Sequence, residues 1–339
     1  MAQRWKNRPE GSNWGEFGPD DEKGRMNLLT PERVLRAVAE VKVGRTFCLS
    51  LPLDLPGGTK LNPRRLPPVL QPVMREGQVA FNLRLSVAHA NLTDVTCDDG
   101  VLLYNQYSTQ WDSFAHYGGV FDADGDGVPE NVFYNGHHVV DPATGRGRQG
   151  ALGAMHLGIQ NMAETCVQGR GVLIDLHRHF PGQGRGIGYD ELMRVMDADK
   201  VEVEEGDMLL LHTNFGRMLV EMAGDPDPQA LFGRCPALDG TDPKLLQWVT
   251  DSGVAALVAD SRAVEYETGQ LNRRTDKGPN LSLHEHCLFK LGVHLGEMWY
   301  LTELAEWLHA NGRSRFLLTA PPLRLPGAVG SPATPVATV

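Results

Sequence analysis

Asp112 and His116 lie in the part of the sequence whose residue types are best suited to hold a metal ion. Residues 104–116 read YNQYSTQWDSFAH and follow a short apolar run. If this run continues as a strand, the side chains of Gln106, Gln110 and Asp112 project from one face, provided that the chain bends between the two glutamines. Carboxylate, imidazole and amide groups can all bind zinc or manganese. The stretch therefore predicts a metal site, although a capping aspartate and a surface histidine would give the same spacing.

A second stretch, LHEHCLFKLGVHLGE at residues 283–297, carries His284 and Glu297. Glu297 lies in an apolar, strand-like run, where a bare carboxylate is costly unless it is paired or bound to a cation. A salt bridge to an arginine such as Arg262 would satisfy it equally well. The stretch contains no HExxH motif, which excludes a zincin helix.

Taken together, four separated segments resemble the putative cyclase family, which includes bacterial kynurenine formamidase, isatin hydrolase and trans-dienelactone hydrolase. The segments are WGEFGPDDEKGRMNLLTPERV, STQWDSFAH, LHEHCLFKLGVHLGE and FLLTAPPLRLPGAVGSPA, in the family's order. The resemblance covers nearly the whole chain. It implies a cyclase-like α/β fold of the swivelling β/β/α type, with a central mixed sheet flanked by helices in a single domain.

The resemblance also implies a set of metal ligands. The family pattern is HxGTHxDxPxH; this chain keeps its threonine, its aspartate and its last histidine, but glutamine replaces the two earlier histidines, as in a QxxxQxDxxxH branch. His284 and Glu297 match the remaining ligand positions, with His286 as a fallback if the alignment shifts by two. The implied ligands of one Zn²⁺ or Mn²⁺ per chain are Gln106, Gln110, Asp112, His116, His284 and Glu297.

The activity that the resemblance implies is hydrolysis of a small lactone, ester or cyclic amide by a metal-activated water. His116 and Glu297 would transfer the protons. We expect a small substrate bearing a carboxylate, with Trp111, His137 and Ser331 as candidate contacts. His137 could equally lie at the rim of the pocket, and the loop that carries Ser331 could be a plain turn rather than an anion site.

Two other functions fit the same residues. The family takes its name from polyketide ring closure, so a cyclase or dehydratase is the nearest enzymatic alternative. The two glutamines could instead mark a metal-free pseudoenzyme that binds a small molecule.

Hydrophobic periodicity and capping signals predict the elements that position these residues. We expect a helix from Pro31 to about residue 41, begun by Thr30, and another after Asp242 that ends at Gly253. The other predicted helices span residues 151–165 and 301–308; the predicted strands span residues 46–51, 81–87, 101–104, 171–176 and 254–259, with a hairpin over residues 201–213.

Composition restricts the function further. The chain has 339 residues and a formal net charge of −10, which argues against nucleic acid and anionic membranes as partners. No apolar run is long enough to span a membrane and the N-terminus lacks a secretory signal, so the sequence predicts a cytoplasmic protein whose five scattered cysteines are reduced.

We expect an N-terminal arm over residues 1–30, a catalytic domain over residues 31–339 and a homo-oligomer. Residues 122–127, DADGDG, predict a polar turn, or at most a weak calcium site.

Overall fold

A nine-stranded mixed sheet forms the centre of the molecule in the computed structural model, which describes residues 4–266 and 278–339. In spatial order the sheet is β1-β19-β17-β11-β13-β15-β16-β8-β18, and the other strands form two-stranded sheets at its periphery. In chain order the strands are β1 (Thr46–Cys48), β2 (Val69–Pro72), β3 (Met74–Arg75), β4 (Gln78–Val79), β5 (Leu83–Arg84), β6 (Val95–Thr96), β7 (Asp99–Leu102), β8 (Gln110–Asp112), β9 (Gly119–Phe121), β10 (Glu130–Val132), β11 (Gln168–Asp175), β12 (Gly186–Ile187), β13 (Met208–His212), β14 (Ala237–Leu238), β15 (Ala256–Ala259), β16 (His294–Glu297), β17 (Arg315–Thr319), β18 (Gly330–Pro332) and β19 (Val336–Thr338).

Helices cover both faces of this sheet. In chain order they are α1 (Pro31–Val38), α2 (Ile159–Ala163), α3 (Leu176–His179), α4 (Tyr189–Asp199), α5 (Phe215–Glu221), α6 (Pro228–Arg234), α7 (Pro243–Ser252), α8 (Ser282–His284) and α9 (Thr302–Ala310), with short 3₁₀ helices at Gly24–Leu28, Leu85–Val87 and Tyr134–Gly136 and a π-helical segment at Glu285–Leu291.

Parallel strands occupy the middle of the sheet and antiparallel strands its edges. β11, β13, β15 and β16 run parallel, whereas β17 joins β11, and β8 joins β16, in antiparallel fashion. The parallel strands are apolar along most of their length, as expected for strands covered on both faces, and two buried clusters of hydrophobic side chains pack against them. This architecture confirms the predicted α/β fold with a central mixed sheet.

Capping signals located two helices correctly. The Thr30 side chain accepts a hydrogen bond from the Arg33 N–H at the start of α1. The Asp242 side chain likewise accepts from the Lys244 N–H before α7, and Gly253 ends that helix with φ of 66°. These signals succeed because they act within a single turn of chain.

Three predicted elements were wrong. Residues 81–87 form only the two-residue strand β5 and a 3₁₀ turn at the surface, with Phe81 61% exposed. Of the residues 151–165 predicted to be helical, only those of α2 form an α-helix. The hairpin over residues 201–213 is absent, because β13 finds its partners in the parallel neighbours β11 and β15 instead.

The N-terminal segment packs into the body of the protein. Trp5 and Trp14 are buried in the cluster on one face of the sheet, and Met26 is buried in the cluster on the other. Among the described residues, no helix is long and apolar enough to cross a membrane.

Candidate metal centre

The pairing of β8 with β16 creates the polar centre. Gln110 and Asp112 project from the same face of β8, and Glu297 lies directly opposite Gln110 across the antiparallel pair. The Gln110 Nε2 donates to Glu297 Oε2 at 3.0 Å and lies 3.3 Å from Asp112 Oδ1. All three side chains are buried, so two carboxylates share one enclosed space.

His284 completes the centre from α8. Its Nε2 lies 3.1 Å from Glu297 Oε1, and its Nδ1 donates to Glu265 Oε1 at 2.9 Å. One ligand atom each from Asp112, His284 and Glu297 lie within 4.8 Å of one another, and all three residues are buried. One imidazole and two carboxylates in this arrangement can hold a divalent cation.

Glu265 holds His284 in place. Its two oxygens accept the backbone N–H groups of Leu283 and His284 at 3.1 and 2.9 Å, in addition to the imidazole proton. With Nδ1–H directed at this carboxylate, the imidazole presents Nε2 to the centre, as metal-ligating histidines commonly do.

The Gln106 side chain occupies space that Gly330 leaves beside β8. Gly330 on β18 lies opposite Asp112, and a Cβ added there would come within 2.5 Å of Gln106 Nε2. The chain turns at residues 105–109 between β7 and β8, so the bend that the sequence required between the glutamines is present.

His116 lies at the edge of the centre. Its Nε2 is 3.9 Å from Asp112 Oδ2, and its side chain is 23% exposed. Burial lowers the pKa of His116, and the charge of Asp112 opposes the shift. A neutral imidazole beside a buried carboxylate is suited to accept a proton from a water molecule.

The electrostatics of the centre favour a cation. Burial, together with the charge of Asp112, raises the pKa of Glu297 to about 7. Burial disfavours a charged His284, but the carboxylates of Glu265 and Glu297 outweigh this and hold the pKa of His284 well above its ordinary value. Within the described chain, three buried atoms around the centre have no hydrogen-bond partner: Gln106 Nε2, Gln110 Oε1 and Asp112 Oδ2. Such atoms are costly unless something binds them, so the residues present fit a divalent metal ion.

Three predicted substrate contacts lie apart from this centre. Trp111 projects from the opposite face of β8 into the core, and Ser331 lies opposite Trp111 on β18 with its hydroxyl bonded to the Pro332 carbonyl. His137 is buried next to Glu22 and His156 in a separate cluster. Their roles as substrate contacts stay predictions.

Sequence reasoning missed two residues beside the centre. Glu265 follows β15 in an apolar context, and a buried acid after a parallel strand was the available signal. Arg65 lies in the Pro-rich segment before β2, donates to the Gln106 carbonyl at 2.6 Å, and lines a narrow cavity with Gln106 and Met298. Its charge acts on both His116 and Glu297.

Two other features lie away from the centre. Asp122 accepts backbone N–H groups from Gly125 and Asp126, which is the geometry of the predicted polar turn. A cavity of about 540 Å³ lies among residues 118–145 and is lined by none of the six predicted ligands.

Comparisons with known proteins agree on one family. A family model described as putative cyclase matches residues 81–266. A solved structure described as a novel cyclase is 31% identical, superposes with a TM-score of 0.74, and covers 97% of this chain and 99% of its own. A search of curated proteins found no match.

Two isatin hydrolases share the fold at low identity. Isatin hydrolase A from Labrenzia aggregata, bound to benzyl benzoate, is 12% identical with a TM-score of 0.54, over 87% of this chain and 93% of its own. Isatin hydrolase A from Ralstonia solanacearum is 14% identical with a TM-score of 0.53, over 86% of this chain and 91% of its own.

Proposed function

Because the chain belongs to the putative cyclase family, we propose that it is a metal-dependent hydrolase that opens a small lactone, ester or cyclic amide. The observation that carries this proposal is the buried group of Asp112, His284 and Glu297, whose ligand atoms lie within 4.8 Å of one another. Two carboxylates in an enclosed space repel each other, and Asp112 Oδ2 has no hydrogen-bond partner within the described chain. A bound cation removes both penalties.

Asp112, His284 and Glu297 would hold the ion, with Gln110 and Gln106 as neutral ligands. A bound Zn²⁺ or Mn²⁺ would lower the pKa of a water molecule towards neutrality and polarise the substrate carbonyl. Gln110 now directs its amide nitrogen at the two carboxylates. Rotation of the amide by half a turn would present the oxygen instead, which is the atom that can bind a cation.

His116 and Glu297 are the residues that we assign to proton transfer. His116 lies beside Asp112 at the edge of the centre and is neutral near pH 7, so it can accept a proton from water. In the centre without an ion, burial and the charge of Asp112 raise the pKa of Glu297 to about 7. We assign to Glu297 the return of the proton to the leaving group. Asp112 and Glu297 are both buried, whereas His116 is partly exposed and can meet water at the edge of the centre.

The substrate that we propose carries a carboxylate, and Arg65 supports this choice. Arg65 donates to the Gln106 carbonyl, and its positive charge acts on both His116 and Glu297. A guanidinium at this position can bind a planar carboxylate through two parallel hydrogen bonds. We expect cytoplasmic location and homo-oligomeric assembly to accompany this activity, as in the sequence-based hypothesis.

Elemental analysis of the purified protein beside an Asp112→Ala variant tests the proposal. We expect the variant to contain one equivalent less of zinc or manganese per chain and to lose hydrolysis of lactone and amide substrates. An Asp251→Ala variant, changed at an exposed helix position, serves as the control and should keep both. Equal metal contents in all three proteins, with folded circular dichroism spectra, would refute a metal centre at Asp112.

Product analysis in H₂¹⁸O separates hydrolysis from ring closure. A hydrolase incorporates the label into its product, whereas a cyclase or dehydratase forms a product without it. Metal-free protein that still binds the small molecule without turnover would instead support the pseudoenzyme alternative.

A further inference from the structure

A second cluster of metal-binding side chains lies where the N-terminal segment meets the body of the protein. Glu22 comes from that segment, His137 follows the 3₁₀ turn at Tyr134–Gly136, and His156 lies in the loop before α2. One nitrogen from each imidazole and one Glu22 oxygen lie within 4.8 Å of one another. This cluster shares no residue with the centre around Asp112.

The Glu22 carboxylate is held in a fixed orientation. Its Oε2 accepts the Leu157 N–H at 2.6 Å and the Asn161 side-chain amide at 2.5 Å. Its Oε1 lies 2.8 Å from His156 Nδ1. One oxygen is therefore anchored by the body, and the other is directed towards the imidazole groups.

His137 provides an independent observation that favours a bound ion. It is only 2% exposed, and its Nδ1 has no hydrogen-bond partner within the part of the chain that the structure describes. Its ring lies 4.8 Å from the ring of His156, at an angle of 34°. A buried imidazole nitrogen without a partner is costly, whereas a metal ion would satisfy it.

The side of the cluster formed by His156 and Glu22 is open to solvent. The His156 side chain is 47% exposed, so an ion can enter without unfolding of the protein. Arg4 is the nearest cation: its guanidinium lies 3.1 Å from His137 Nε2 and pairs with Asp20. Because Arg4 is itself partly exposed, it can move aside and keep its ion pair with Asp20.

From these contacts we propose that Glu22, His137 and His156 form a second divalent-metal site, of the zinc class, that fastens the N-terminal segment to the catalytic body. Two imidazoles and one carboxylate are a ligand set that zinc binds in proteins and leave a fourth position for water. An ion that binds the folded chain and not the unfolded one stabilises the fold by mass action. The site therefore acts on stability, whereas the centre at Asp112 acts on catalysis.

Zinc titration of chelator-stripped full-length protein tests the proposal with four proteins and one control variant. We expect two zinc ions per chain in the wild type, one in Asp112→Ala, one in His156→Ala and none in the double variant. His156→Ala should keep hydrolytic activity, because it lies outside the proposed catalytic centre. His138→Ala removes a neighbouring histidine that belongs to neither cluster, so this control should bind two ions.

Thermal unfolding supplies a readout that does not depend on activity. Added zinc should raise the melting temperature of Asp112→Ala but not that of the double variant. Arg4→Ala should tighten zinc binding by roughly tenfold, since a positive charge near the ion is removed. The proposal is overturned if His156→Ala binds as much zinc as the wild type, or if zinc stabilises the double variant as much as Asp112→Ala. Failure of the catalytic proposal would appear separately, as an unchanged metal content in Asp112→Ala.

Discussion

Glu265 determines which nitrogen of His284 faces the candidate metal centre. The carboxylate accepts the Nδ1 proton of the imidazole and two adjacent backbone N–H groups, so it is fixed by three hydrogen bonds. An imidazole held in this way loses little conformational freedom when its other nitrogen binds an ion. At the residue scale, therefore, the centre depends on a side chain that does not itself touch the proposed metal.

Replacement of Glu265 should weaken metal binding without removal of any ligand. For Glu265→Ala we expect a loss of about 10–100-fold in zinc affinity, because the imidazole is free to rotate and to change tautomer. Glu265→Gln should recover part of the loss, since its amide oxygen can still accept the Nδ1 proton. Competition with a chromogenic chelator measures the dissociation constants, and Glu285→Ala, which removes an acid paired with Lys290, is the matched control. Equal affinities in Glu265→Ala and the control would show that Glu265 does not position the ligand.

At the scale of elements, short polar contacts hold the strands that carry the centre in register. The Thr109 hydroxyl donates to the Met298 carbonyl at 2.6 Å and accepts the Leu51 N–H at 2.9 Å. It thereby joins the start of β8 to the end of β16 and to the segment after β1. At the carboxyl ends of the same set of parallel strands, His212 on β13 bonds to Asp175 on β11 at 2.8 Å.

Thr109→Val should destabilise the protein although the two side chains have the same shape. The change leaves the buried Leu51 N–H without a partner and removes the donor to Met298, at a cost of about 1–3 kcal/mol. Urea unfolding of chelator-stripped protein measures the change in free energy. Thr59→Val, at an exposed loop position, should be neutral. A stability equal to that of the control would mean that this hydroxyl does not hold the strands together.

The ion pair of His212 predicts a pH dependence of stability. Burial opposes the charged imidazole, but the hydrogen bond to Asp175 and the charge of Asp260 raise the pKa of His212 above 6.5. A raised pKa in the folded state means that the stabilisation is complete below about pH 6.5 and is lost as the pH rises through the folded-state value. In His212→Asn the amide can still donate to Asp175 but does not titrate.

Urea unfolding at pH 6, 7, 8 and 9 compares the two proteins. The difference in unfolding free energy between wild type and His212→Asn should shrink as the pH rises. A difference that is constant over this range would show that the pair does not titrate as proposed.

At the scale of the whole molecule, the N-terminal segment is part of the folded body rather than an appendage. Trp14 is 1% exposed, packs edge-on against Trp5, Phe121 and Phe289, and donates its indole N–H to the Phe289 carbonyl at 2.8 Å. Phe289 belongs to the π-helical segment that directly follows His284 and α8. Loss of the segment should therefore disturb the side of the molecule from which His284 is presented.

Trp14→Ala should be strongly destabilising. Removal of a fully buried indole leaves a cavity and an unpaired carbonyl, at a cost of about 3–5 kcal/mol. Chemical denaturation measures the loss, and Phe81→Ala, at a side chain that is 61% exposed, is the aromatic control. If Trp14→Ala were as stable as the control, the N-terminal segment would not contribute to the stability of the folded body.

The sequence by itself determined the features that depend on a few neighbouring residues. Thr30 and Asp242 begin helices because a side-chain oxygen caps N–H groups within the same turn. The motif around Asp112 and the stretch from His284 to Glu297 supplied the ligand types, because the chemistry of a ligand resides in its own side chain. The mixed α/β sheet was predicted from the resemblance of four short segments to one family, which also depends only on local sequence.

Only the tertiary structure determined which distant residues contact one another. Gln110 faces Glu297 because β8 pairs antiparallel with β16, although 187 residues separate them in the chain. Residues 81–87 alternate like a strand but lie at the surface, because no long neighbouring strand pairs with them. β13 is parallel to β11 and β15 rather than half of a hairpin. Distant parts of the chain determine which strands pair, how much space lies beside a glycine such as Gly330, and which partner a buried acid such as Glu265 finds. The local sequence carries no information about these contacts.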